Sequence, residues 1–310
     1  MSTEGGLKTR EGELVAYRVL ALEMHLEVGE LFEETLREAT SFLLEAIGGE
    51  LRWYELSMFQ EPLPFEARAL DWINAYPSRL RAAVDLSDED AEQLLAQYET
   101  YGIELHGGEG GRDASPWSID FWTEYTEVAA EGVPTLCAVL RVTVPIDFDA
   151  NTVAEWSRRI VSGLPLRWAS LGYSYTGRYG HPNYRRPVYA HARRHCGYDA
   201  GDYYGWLGTW YTCLRSVNWI TILGPVFRSA LKKLPKAPVR TEAWGAATAI
   251  IATDQPMEGD TNRLDIPQGY IAVDKALRSL RVTPQGGSFA EPWTATTTTD
   301  WIRRFELAVN

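Results

Sequence analysis

The chain has 310 residues, 45% of them hydrophobic and 23% charged, so it can bury a sizeable core and does not read as a disordered polymer. No stretch approaches the roughly 18 apolar residues that a membrane span needs, and the net charge of −12 disfavours a nucleic-acid coat. That charge is segregated: residues 1–155 hold 10 Lys and Arg against 31 Asp and Glu (net −21), whereas residues 156–310 hold 20 against 11 (net +9). Such segregation implies an oriented field and a basic partner for the acidic half, unless the halves interleave in space and neutralise each other.

The pattern over 14–28 predicts a strand. From Leu20 the even positions are apolar while Glu23, His25 and Glu27 are polar, a period of two with one wet face. Residues 30–47 have helical spacing, with Glu30, Glu33, Glu34 and Glu38 on the outer face. Three of these lie in the first turns, where the helix dipole favours negative charge. Gly48-Gly49 stops the helix, and 51–56 is a short strand. Residues 57–116 are irregular and read as an insertion or lobe. Within them Ser87-Asp88-Glu89-Asp90 caps a helix to about Tyr101, and Gly107 to Gly111 forms a flexible loop.

Strands follow at 117–124 and 136–144, a helix at 152–161 and a strand at 168–176. A helix starts near Pro187, and 217–223 is a strand. Helix 225–234 carries Lys232 and Lys233 at its C-terminal end, strand 246–253 is buried, and 267–280 is a helix. The Thr296 to Thr299 run leads into a last helix, 300–307, within a C-terminal extension, 285–310. Strands and helices alternate without a strict βα register, and no repeat or long linker divides them. The expectation is therefore an α/β protein of the α+β type: one large domain whose mixed sheet carries helices on its faces.

Three cysteines, Cys137, Cys196 and Cys213, make no disulfide framework and suggest a reducing compartment. The N-terminus has no basic region followed by an apolar run, so no signal peptide is expected. The cytoplasm is the expected location.

Several patterns could carry chemistry. His191 and His195 share a helix face at i, i+4 and Cys196 follows, so a metal-dependent hydrolase centred on these three is one reading. Against it, no Glu stands between the histidines and Arg193 and Arg194 oppose a cation; a third ligand would have to be His181 or Cys213. No nucleophile elbow, P-loop or dinucleotide fingerprint occurs. Nine arginines in 158–215 interleave with tyrosines. These could form a single-stranded nucleic-acid platform or an Arg–Tyr network inside the chain, and the acidic balance favours the network. Glu30, Glu33, Glu34 and Glu38, then Asp88, Glu89 and Asp90, then Glu104, Glu109 and Asp113 form acidic clusters. They read either as solvated faces or as a decoy surface that occupies the basic groove of a polyanion-binding enzyme.

Three pieces stand in order: Gly224-Pro225-Val226; then Pro256-Met257-Glu258-Gly259-Asp260-Thr261-Asn262-Arg263 with Tyr270; then Leu280-Arg281-Val282-Thr283-Pro284. Together with Trp53-Tyr54, Leu164-Pro165-Leu166 and Gly172-Tyr173, this series resembles the type VI secretion immunity protein family. The resemblance spans about 50–284. It implies a cytoplasmic, cofactor-free, non-enzymatic inhibitor that binds and neutralises one cognate antibacterial toxin, often a nuclease. The turn at Gly259, Asp260, Asn262 and Arg263 reads as fold-defining: Gly259 permits positive φ, Asp260 and Asn262 bond nearby amides, and Arg263 can pair with a carboxylate.

Overall fold

The computed structural model describes residues 5–28, 32–56, 61–66, 102–128, 133–177, 184–200, 211–231, 238–281 and 291–307. Its strands are β1 (Gly6–Lys8), β2 (Leu14–Glu27), β3 (Trp53–Leu56), β4 (Leu63–Pro64), β5 (Gly102–His106), β6 (Ser118–Val128), β7 (Val133–Pro145), β8 (Leu166–Gly177), β9 (Ile220–Leu223), β10 (Arg240–Trp244) and β11 (Ala247–Ile251). Its helices are α1 (Phe32–Ile47), α2 (Ala150–Val161), α3 (Arg185–Arg194), α4 (Pro225–Ala230), α5 (Gln268–Leu277), α6 (Ala295–Ile302) and α7 (Arg304–Leu307).

All the strands join one 11-stranded sheet in the order β10-β11-β9-β8-β2-β7-β6-β5-β3-β4, with β1 against β2. The α+β class is the expected one. The strand pairings are all antiparallel, which refines the mixed sheet inferred from the sequence. The centre is β2, paired with β7 from Val19 opposite Pro145 to Glu27 opposite Cys137. On its other side it pairs with β8 from Ala16 opposite Gly177 to Leu26 opposite Leu166. Strands β4 and β5, which lie in the stretch read as an insertion, belong to this same sheet.

Alternation along β2 sends Leu20, Leu22, Met24 and Leu26 to one face. There they meet α1, which buries Phe32, Leu36, Leu43 and Ile47 at helical spacing. Helix α2 packs beside α1, with the Arg159 guanidinium 4.1 Å over the Phe42 ring. Asp149 caps α2 by accepting from the amides of Asn151 and Thr152.

The other face of β2 is not wet. Glu23 and His25 are 5% and 2% exposed, against the expectation of a solvated face. The reason is a layer of buried polar partners on that side. Two further expectations change. The Gly107 to Gly111 loop is tied down: Gly110 donates to Asp113 Oδ2 at 2.8 Å, Gly107 donates to the Trp117 carbonyl, and Gly107 and Gly108 are buried. The threonine run lies inside α6, which starts earlier because Thr294 and Thr297 form a reciprocal capping box. The helix expected over 87–101 lies outside the described residues.

Leu36 is 2% exposed at the helix–sheet contact. Leu36→Ala is expected to lower stability by about 2–5 kcal/mol through lost burial and a residual cavity, measured by urea unfolding.

Candidate functional site

Register sets one residue per strand into a row across the second sheet face. Glu55 of β3 stands opposite Glu104 of β5, which stands opposite Asp120 of β6. Asp120 stands opposite Arg141 of β7, and Arg141 opposite Glu23 of β2. Arg141 Nη1 lies 3.5 Å from Asp120 Oδ2, and its Nε 3.9 Å from Glu23 Oε2. Arg215, 1% exposed, enters from the loop before β9. Its Nη1 donates to Glu23 Oε1 at 2.7 Å and its Nη2 to Asp199 Oδ2 at 2.7 Å. His25 Nε2 sits 2.9 Å from Glu23 Oε1, and the His25 ring stacks on Trp168 with centroids 4.2 Å apart.

This environment splits the carboxylates. Burial pushes Glu23 up, but Arg215 and His25 outweigh it and hold the carboxyl well below its usual range. Asp120 is pushed up to about 6, because burial outweighs the attraction of Arg141. Glu104 is raised well above its ordinary value by burial and then by Asp120 and Glu55. Asp120 Oδ1 is buried without a hydrogen-bond partner, which adds to the case for a protonated group here.

On the first sheet face, α3 brings His191 and His195 together as the i, i+4 spacing implies; their rings stack at 4.2 Å. Both Nδ1 atoms are engaged, His191 with the Tyr175 hydroxyl at 2.8 Å and His195 with the Gly259 carbonyl at 2.9 Å. Burial, then the neighbouring His195, pushes His191 down to about 3, so it is neutral at physiological pH. Cys196 is buried, and burial raises its thiol. Among the described residues no group of three or more His, Cys, Asp and Glu is arranged to hold a metal ion. His181 lies outside those residues.

The turn after β11 closes against this cluster. Asp260 caps a 3-10 turn (Thr261–Arg263) by accepting from the Asn262 amide, and it takes a bidentate contact from Arg194 at 2.7 and 3.2 Å. Arg194 first, then burial opposed by the Asn262 amide, leaves Asp260 lowered to about 2. Gly259 has φ +65, and a Cβ there would meet Cys196 Sγ at 2.6 Å. Arg263 is different: its side chain is 78% exposed, 3.6 Å from Asp260.

Among the described residues, the acidic candidates do not converge. Glu33, Glu34 and Glu38 lie on α1, the latter two exposed. Glu104 is half-buried inside the cross-strand row, so it is not part of a free acidic surface. Glu109 and Asp113 are exposed in the loop whose Ala114 packs on the sheet face opposite α1. Glu30, Asp88, Glu89 and Asp90 fall outside the described residues. Beside α1 a cavity of about 580 Å³ is lined by Glu38, Phe42, Glu45, Arg159 and Gly163 among others.

The arginine-rich segment is engaged within the chain at several points. Arg167 lies 3.9 Å over Tyr211, Arg185 lies over Tyr184, Arg193 is 3.8 Å from Asp300, and Arg194 and Arg215 hold carboxylates.

A family model for TsiV, type VI immunity for VRR-NUC, matches residues 45–305. The chain belongs to the TsiV family. It is thus a type VI secretion immunity-family protein, as the ordered turn and strand motifs implied. Among solved structures, the Pseudomonas aeruginosa T6SS protein PA0821 shares the TsiV-family chain's fold, with a TM-score of 0.72 at 16% identity over 97% of this chain and 86% of the other. No curated protein matches. No described helix is long and apolar enough to cross a membrane.

Sequence reasoning missed Arg141 and Arg215 as partners of Glu23, and Asp120 and Asp199 as the carboxylates that share those two cations. Polar residues inside otherwise apolar strands were the available signal. Arg215→Ala is expected to destabilise this TsiV-family chain by about 3–5 kcal/mol, since it strands two buried carboxylates; chemical denaturation reads it. For Asp120, a folded pKa of about 6 against an ordinary 3.8 means the native state holds the extra proton. Its contribution is therefore favourable below pH ~4 and is lost as pH rises to ~6. Asp120→Asn should gain stability relative to wild type across that window, seen in unfolding midpoints at pH 4, 5, 6 and 7.

Proposed function

We propose that this protein binds a VRR-NUC nuclease toxin in the cytoplasm and neutralises it by covering its substrate-binding surface. The observation that carries this reading is the family match over 45–305. Charge supports it. A nuclease must present a basic groove to a polyanion, and this chain offers net −12 with Glu34 and Glu38 exposed on α1. The neighbouring cavity sets Phe42 between Glu38, Glu45 and Arg159, an aromatic surface with a charged rim. Inhibition is by stoichiometric occlusion, without catalysis by this chain.

The test is co-expression with VRR-NUC nuclease proteins of the same organism, scored by co-purification and by rescue of growth. A stable complex that restores growth is the expected result; no complex and no rescue would sink the reading. If α1 is the contact, the triple reversal Glu33→Lys, Glu34→Lys and Glu38→Lys should slow association at least about tenfold at low salt, and wild-type association should itself slow as salt rises. Stopped-flow rates that ignore both would remove α1 from the interface.

A further inference from the structure

Leu264 stands in a conformation and an environment that the fold does not require. Its φ of 56 and ψ of 25 place it in the left-handed region, and it is the one non-glycine residue with positive φ among those described. That region is unfavourable for a branched apolar side chain, and glycine or asparagine would close the same turn with less strain. Its side chain offers no compensation, because Leu264 is 87% exposed. The other exposed large apolar residues described are Leu63 at 37%, Met257 at 38% and Val226 at 45%.

The turn is nevertheless rigid. The Asp260 amide donates to the Asp265 carbonyl at 2.8 Å, the Asp265 amide returns the bond at 3.0 Å, and Arg263 donates to the Asp260 carbonyl. Arg194 clamps the Asp260 side chain from α3. Leu264 is therefore held out in a fixed position, beside the exposed guanidinium of Arg263. Exposed Met257 lies in the same loop, and Gln255 of that loop touches Asn151 of α2 at 3.2 Å. The loop is thus continuous with the α1–α2 side of the molecule.

We propose that Leu264 is an apolar anchor of the toxin interface, seated in an apolar pocket of the nuclease whose rim is acidic and takes Arg263. This rests on the proposed function. Strain held at an exposed, rigidly supported apolar residue fits a side chain that is buried only in a complex. A nuclease centre that works through divalent ions must gather carboxylates to hold them, and the rim of such a centre is acidic. The acidic face of α1 is unsuited to such a rim, whereas Arg263 suits it.

The experiment compares wild type, Leu264→Asn and Leu264→Gly in two assays, thermal unfolding and calorimetric binding to the VRR-NUC domain. Both variants should unfold at or above the wild-type temperature, because each relieves the left-handed strain, and both should bind at least about tenfold more weakly. Variants that bind as wild type does would overturn the anchor while leaving the immunity function in place. Variants that unfold at markedly lower temperature would also overturn it, by showing that Leu264 serves the fold. Wild type that fails to bind the domain would overturn the proposed function, and the anchor with it.

Discussion

The guanidinium of Arg215 is the contact on which the most structure converges. It lies 1% exposed between Glu23 of the central strand and Asp199 of the segment after α3. Two carboxylates on one cation satisfy its donors in a fixed fork, and they keep it charged although burial works against this. The consequence reaches beyond the ion pair. Asp199 is fixed beside β8, where its amide donates to the Tyr173 carbonyl and Ser174 Oγ donates to the Asp199 carbonyl. Its neighbour Tyr198 turns the other way and stacks on Tyr173 and Tyr175, against His191 of α3 and His195 at the C-terminal cap of that helix. Through one adjacent pair, the buried network on one sheet face positions the helix and turn on the other.

The same contact explains what becomes of the segregated charge. Glu23 belongs to the acidic half of the sequence and Arg215 to the basic half. Arg18 and Glu258 pair across the halves in the opposite sense, at 3.3 Å. The halves therefore interleave, at one buried pair and at one partly exposed pair. Exposed Glu34 and Glu38 lie outside that exchange, on the outer side of α1. Charge segregation along the chain is thus partly a folding device, matching a strand to a distant loop, and partly a surface property.

Local periodicity made the long elements legible. The even positions of β2, the apolar stripe of α1 and the capped start of α2 all follow from residues within a turn or two. The sequence pattern fails where the deciding partner is far away. Glu23 and His25 look like a wet face because nothing nearby shows that Arg215, 192 residues on, will cover them. The i, i+4 pair of His191 and His195 was legible as geometry but not as chemistry, since Tyr175 and the Gly259 carbonyl take their Nδ1 atoms. Strands β5 and β10, five residues each, are too short for a period to stand out. The row from Glu104 to Glu23 depends on register across four strands, and no single stretch encodes that.

The turn from Gly259 to Asp265 contains two kinds of residue that sequence alone does not separate. Gly259 and Asp260 act inward: a backbone angle, and a carboxylate clamped by Arg194 that caps the turn by accepting from the Asn262 backbone amide. Their replacement would disturb α3 and the histidine cluster. Arg263 and Leu264 act outward, and the fold would keep its hydrogen bonds with other side chains there. A protein selected only for stability would drift toward asparagine or glycine at position 264, because either fits the backbone with less strain and exposes less apolar surface. Proteins kept just above a stability threshold can retain such a residue when a partner uses it. On the proposed reading, the inward residues make the turn stiff so that the outward ones reach the toxin already in place, and the loss of freedom on binding is correspondingly small.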